Sequence, residues 1–275
     1  MRAMLVFVFI FTVSDSFSQY YFNDMVATQT SNDRYKLLRT NKIKKVTATG
    51  FDADNSRTEG FGVEEEISMD GKRIISTTAS QNTKSAVTNH FYDLNKLRRT
   101  QSYYNGIDNK TEYTYNDKGL IQKIVFTTND TATKSTLVES HEWNYNEAGQ
   151  PLSMLKIKNK TDTTLIELVK DENGLIIEER WKKKNRLLEN YYYYYDANKR
   201  LTDIVRYNTR LKKLLPDFQY EYDGDGRITK MTQVAMNTAS YLVWQYIYND
   251  KGLKQKEVAF DKNGQLIGRV EYTYE

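Results

Sequence analysis

Apolar and polar residues alternate along most of the chain in stretches of about eight, each broken by a short run of Asp, Asn, Gly or Lys. This period-two pattern predicts β-strands joined by tight turns. No window carries a sustained 3.6-residue apolar stripe with capping residues, so no helix is expected. One stretch departs from alternation. Residues 3–13 are an apolar run interrupted only by Thr12, behind Met1 and Arg2 and followed by Ser14, Ser16 and Ser18. That order is the layout of a secretory signal, and a cut after Ser18 places Ser16 and Ser18 at the small-residue positions. The run is too short to cross a bilayer as a helix. The expected organisation is a signal peptide over 1–18, a lead-in or cap over 19–42 that covers a sheet edge, and a β-hairpin repeat domain over 43–275.

The alternating segments repeat. Two aromatic residues one apart, then Asp or Asn, two variable residues, Gly and an apolar pair recur at Tyr113, Tyr115, Asn116 and Gly119. The frame returns at Trp143, Tyr145, Asn146 and Gly149; at Tyr220, Tyr222, Asp223 and Gly226; and at Tyr246, Tyr248, Asn249 and Gly252. Degenerate copies keep the turn: Asp171 and Gly174 without the aromatics, and Asp196 or Asp93 with Lys199 or Lys96 in place of Gly. The period is about 25 residues, which fits one hairpin of two strands and two turns. Asp261 and Gly264 form a second-turn version of the same signal, and Met69, Asp70 and Gly71 an earlier, tighter one. The Asp or Asn side chain caps a type I turn, and Gly three residues later takes the positive φ that closes a bulged hairpin. Tyrosines at alternate positions place their rings on one sheet face.

The frame best preserved over 220–228 resembles the YD repeat of the RHS family, and the likeness extends over residues 91–275. It implies β-hairpin repeats in a continuous sheet, in proteins that are typically secreted or displayed at the cell surface and that often enclose toxins or bind carbohydrate. This chain is too short to close such a cage and ends just after a repeat, so toxin delivery is not carried over. Residues 260–274 also resemble the hairpin repeats of MORN-like variant proteins, which keeps a peptide-binding or immunity role open.

Composition narrows the chemistry. Across 275 residues there are 22 Tyr, 2 Pro, 2 His and no Cys, which excludes a disulfide scaffold, a thiolate site and a lipid-anchored lipoprotein. A net charge of +4 is too small and dispersed to argue for nucleic acid. His90 and His141 lie about four strands apart, too far to share a metal. Glu142 follows His141 without a second histidine at zinc spacing, and phosphate loops and nucleophile elbows are absent. Asp223 with Asp225, and Asp171 with Glu172, read as turn caps rather than a calcium site or a glycosidase pair. No cofactor or metal is expected.

What remains is surface. The tyrosine ladder reads as a packed face. Tyr192 and Tyr194, on the opposite face of the 191–195 run, together with Trp181, are the candidates for an exposed contact. If the Gly turns share one rim, the second turns share the other and gather Lys156, Lys158, Lys160, Lys182, Lys183, Lys184, Arg186, Arg210, Lys212 and Lys213 there. Such a rim contacts acidic polysaccharide or lipid headgroups, or simply shields sheet edges from aggregation. An outer-membrane barrel is disfavoured because the strands are short and no alternating set is apolar enough to face lipid. The expectation is an exported, all-β antiparallel meander of repeated hairpins, extended or curved, without a transmembrane helix after cleavage. It acts as a noncatalytic binding or scaffold module of the envelope or surface, with carbohydrate or another surface protein as partner. A glycan hydrolase using paired carboxylates and an immunity partner of a secreted toxin are the alternatives.

Overall fold

The computed structural model describes residues 19–80, 85–208, 212–235 and 240–275. The signal sequence expected over 1–18 and the rim residue Arg210 lie outside the described residues. Eighteen strands run in chain order: β1 (Lys45–Asp52), β2 (Gly62–Ile67), β3 (Arg73–Ala79), β4 (Ala86–Asp93), β5 (Lys96–Tyr104), β6 (Ile107–Tyr115), β7 (Ile121–Asp130), β8 (Ser135–Tyr145) and β9 (Pro151–Lys158). The series continues with β10 (Asp162–Lys170), β11 (Ile176–Lys183), β12 (Arg186–Tyr195), β13 (Leu201–Asn208), β14 (Lys213–Tyr222), β15 (Ile228–Val234), β16 (Tyr241–Tyr248), β17 (Lys254–Phe260) and β18 (Leu266–Tyr274).

Each strand pairs antiparallel with the next, as the alternation predicts. The meander does not stay open. β18 returns to pair with β1, from Val46 opposite Tyr274 to Asp52 opposite Gly268, and the sheet closes into a barrel. Closure removes the two rows of unpaired N–H and C=O groups that an open sheet would expose. An outer-membrane barrel is disfavoured in the sequence for short strands and polar walls; several strands are longer than expected, β8 reaching 11 residues, while the polarity is present. The outward face carries the ion pairs Lys123–Glu142 (2.7 Å), Lys182–Glu167 (2.6 Å) and Lys230–Glu221 (2.7 Å), which suit a wall facing water.

A helix occupies the lead-in, contrary to expectation. A π-helical segment, Tyr21–Val26, runs into α1 (Ala27–Thr40). Its buried face is Tyr20, Asp24, Thr28, Asn32, Tyr35 and Leu38, half of it polar, so no continuous apolar stripe announces it. The wide π-helical turn keeps the four-residue spacing of Tyr20, Asp24 and Thr28 on one side. Among the described residues the closed sheet leaves no edge for this segment to cover. The helix lies instead against the inner wall, where Tyr35 stacks on Tyr92 at 3.8 Å and Asn32 accepts the Leu97 N–H at 2.8 Å. Three buried clusters follow its course. The first gathers Leu38, Ile74 and Leu97, the second Tyr20, Trp143 and Met154, and the third Tyr193, Ile204 and Phe218.

The glycine turns line one rim. At Asn116 the side-chain oxygen accepts the Leu120 N–H (3.0 Å), the Gly119 N–H bonds the Asn116 carbonyl (2.8 Å), and Gly119 has φ of 75°. Asn146 with Gly149, Asp171 with Gly174, Asp223 with Gly226 and Asn249 with Gly252 repeat this geometry, and Asp196 repeats it with Lys199 at φ of 62°. The register steps by one residue at Tyr115, Tyr145, Lys170, Tyr195, Tyr222 and Tyr248, the bulge expected of such hairpins. Asp261 and Gly264 make the same turn on the opposite rim.

Candidate functional site: an inner helix seat and an outer aromatic patch

The tyrosine ladder faces inward, and its second ring in each frame has a defined task. Tyr115, Tyr145, Tyr195, Tyr222, Tyr248 and Tyr274 each donate their hydroxyl to the carbonyl of Leu97, Ile121, Ile176, Leu201, Ile228 and Lys254 respectively, at 2.5–2.9 Å. Each bond joins the end of one strand to the start of its neighbour at the rim where no turn connects them. The phenol is a stitch. Neighbouring cations lie over the same rings, Arg200 over Tyr222 (4.8 Å) and Arg227 over Tyr248 (5.2 Å). Burial pushes Tyr222 and Tyr248 up to about 12, which keeps the hydroxyls as donors.

The helix start is held by Glu179 on β11. This carboxylate is fully buried and accepts the Tyr20 N–H (3.0 Å), the Tyr21 N–H (2.9 Å), the Trp181 indole N–H (2.5 Å) and the Tyr193 hydroxyl (2.7 Å). Two of those donors are the orphan N–H groups at a helix N-terminus, where an anion is favoured. Burial raises Glu179 above the ordinary carboxylate range, against the opposing pull of these bonds.

Beside it lies a second ionic contact. His141 Nδ1 is 2.7 Å from Asp24 and Nε2 is 3.0 Å from Glu139, while the Trp143 indole donates to Asp24 at 3.0 Å. Both imidazole nitrogens meet carboxylates, so the doubly protonated ring fits. Burial lowers the His141 pKa, but Asp24 and Glu139 overcome it and hold it at about 9. His90 is lowered instead, because burial outweighs Glu65. Neither Glu179 nor His141 was singled out for this role. The signal in the sequence is weak: Glu179 is one of two adjacent acids on β11, and only its inward face separates it from Glu178.

The six binding candidates separate. Trp181 is on the ladder face, opposite Ile166 and Glu189 in register and 4.7 Å from the Tyr20 ring, so it is not an exposed contact. Tyr192 and Tyr194 point outward. Tyr194 is 46% exposed and stands opposite Asp203, which accepts a hydrogen bond from Gln219 at 2.9 Å. A shallow polar hollow of about 210 Å³ opens there, lined by Asp203, Gln219, Glu221, Lys230 and Thr232. Lys182 pairs with Glu167 and Lys183 with Asp162 (2.6 Å each), while Lys184 is an exposed turn residue. Lys156 is drawn from the rim to the interior, where it bonds the Tyr20 hydroxyl at 2.6 Å. No group of His, Asp or Glu suited to a metal occurs among the described residues, and no described helix is long and apolar enough to cross a membrane.

No protein-family model and no curated protein matches the chain. Among solved structures it is similar to a Tc holotoxin pore of Photorhabdus luminescens at 14% identity, over 77% of this chain and 12% of that one, with a TM-score of 0.37. It is also similar to a porin-like protein of Bacteroides uniformis at 12% identity, over 85% of this chain and 96% of that one, with a TM-score of 0.42. A porin-like protein of Bacteroides vulgatus gives 11% identity, 85% and 98% coverage, and a TM-score of 0.27.

Proposed function

We propose that this chain is an exported, noncatalytic binding module of the cell envelope or surface, a rigid barrel that offers carbohydrate an outward aromatic patch. The observation that carries this reading is the pairing of exposed Tyr194 with the polar hollow around Asp203 and Gln219, while the ladder is consumed by stitching. A flat ring beside hydrogen-bonding side chains suits a sugar, which presents an apolar face and hydroxyl edges. The signal-like segment over 1–18, with its apolar run over 3–13, and the likeness of the repeats to the RHS family support export and an extracytoplasmic setting. The buried carboxylates Glu179 and Asp24 accept bonds from the helix seat, which favours a structural over a hydrolytic use of them. A glycan array with Tyr192→Ala and Tyr194→Ala tests the reading. Binding lost in Tyr194→Ala with an unchanged melting curve is expected; binding indifferent to both variants, or release of reducing sugar from a bound glycan, would overturn it.

A further inference from the structure

The second rim carries a sector with no structural explanation. Three successive turns, β9–β10, β11–β12 and β13–β14, hold Lys158, Lys160, Lys184, Arg186, Lys212 and Lys213, all exposed. Among the described residues none of the six makes an ion pair within 4 Å; the one acid at these turns, Asp162, is bonded by Lys183 at 2.6 Å and only faces Lys158 across the strand pair. Lys160, Lys184 and Lys212 also sit at φ of 67°, 47° and 51°, where Asn or Gly is the unstrained choice. Turn chemistry therefore does not call for lysine. Nor does protection of a sheet edge, since the closed barrel has none.

Apolar side chains stand among these cations. Leu187 and Leu188 are 51% and 53% exposed, because the register steps between Trp181 and Lys182 and leaves Leu188 without an opposite residue. Tyr207 and Leu214 face each other outward on β13 and β14, both 44% exposed. A cationic ring of turns flanked by exposed leucines matches a surface with anionic headgroups above an apolar layer. A polysaccharide would satisfy the lysines and leave the leucines in water.

We propose that this rim sector docks on an anionic lipid surface, with Lys158, Lys160, Lys184, Arg186, Lys212 and Lys213 at the headgroups and Leu187, Leu188 and Leu214 in the interfacial layer. The proposal goes beyond the glycan reading and uses a different part of the wall, so either can fail alone. Cosedimentation of the purified chain with vesicles tests it. Vesicles of phosphatidylcholine containing 30% phosphatidylglycerol should bind the protein, pure phosphatidylcholine should not, and salt should weaken binding. Lys184→Gln combined with Lys212→Gln should lower partitioning on the order of 25-fold, about fivefold for each cation removed. Leu187→Ser with Leu188→Ser should weaken binding while leaving its salt dependence. Absence of binding, equal binding to both vesicles, or binding to soluble heparin that competes with vesicles and ignores the leucine variants would overturn the proposal, the last in favour of an acidic polysaccharide.

Discussion

The stitched rim and the helix seat hold the same wall by opposite means. Along the rim, six phenols make six equivalent bonds to carbonyls, each partly open to water and each with its own partner. At the seat, one buried carboxylate gathers four donors and one buried imidazole bridges two acids, with no second copy of either. Redundancy makes a single stitch expendable. Burial makes the seat costly to break, because a lost partner leaves polar groups with no water to turn to. The repeat tolerates this difference: Lys170 stands where a stitching tyrosine would be, and the barrel still closes across it.

The largest effect should come from Glu179→Ala, which strands two helix N–H groups, the Trp181 indole and the Tyr193 hydroxyl. At about 1–3 kcal/mol for each unsatisfied group, less relaxation, a loss of roughly 4 kcal/mol is expected in a denaturant titration. A loss below about 1 kcal/mol would erase the distinction between seat and rim. The next concerns pH. The folded His141 pKa of about 9 lies above the ordinary 6.5, so its contribution is fully present below 6.5 and fades as pH rises through 9. It amounts to roughly 3 kcal/mol. His141→Gln should lower stability at pH 6 and flatten the fall in melting temperature between pH 6.5 and 9; an unchanged slope would show that the imidazolium contributes nothing. The smallest effect belongs to the rim. Tyr222→Phe should cost about 1 kcal/mol, and Tyr222→Phe with Tyr248→Phe about twice that, since separate stitches act independently. Marked non-additivity would mean that the rim, too, works as a single unit.

The turns were legible because Asp223 and Gly226 state a local geometry in four residues, and the rim alignment follows from their spacing. The closed barrel was not, because pairing of Val46 with Tyr274 depends on the accumulated twist of all the strands between. The helix escaped for a different reason. Its buried side interleaves Asp24, Thr28 and Asn32 with Tyr20, Tyr35 and Leu38, so the helical period carries no continuous apolar stripe. Trp181 was misplaced because its face is fixed by register with Ile166, and a register step follows it immediately. The outward position of Tyr192 and Tyr194 came directly from alternation along an unbroken run of tyrosines.

The pairing of β1 with β18 joins two strands with sixteen others between them along the chain, and the helix lies inside the ring they complete. Contacts of such long sequence separation carry a large loop-closure entropy and are intrinsically slow to form. Because the helix sits within the ring, its seat and the seam depend on each other: a chain whose helix is displaced would close around an empty, wet bore.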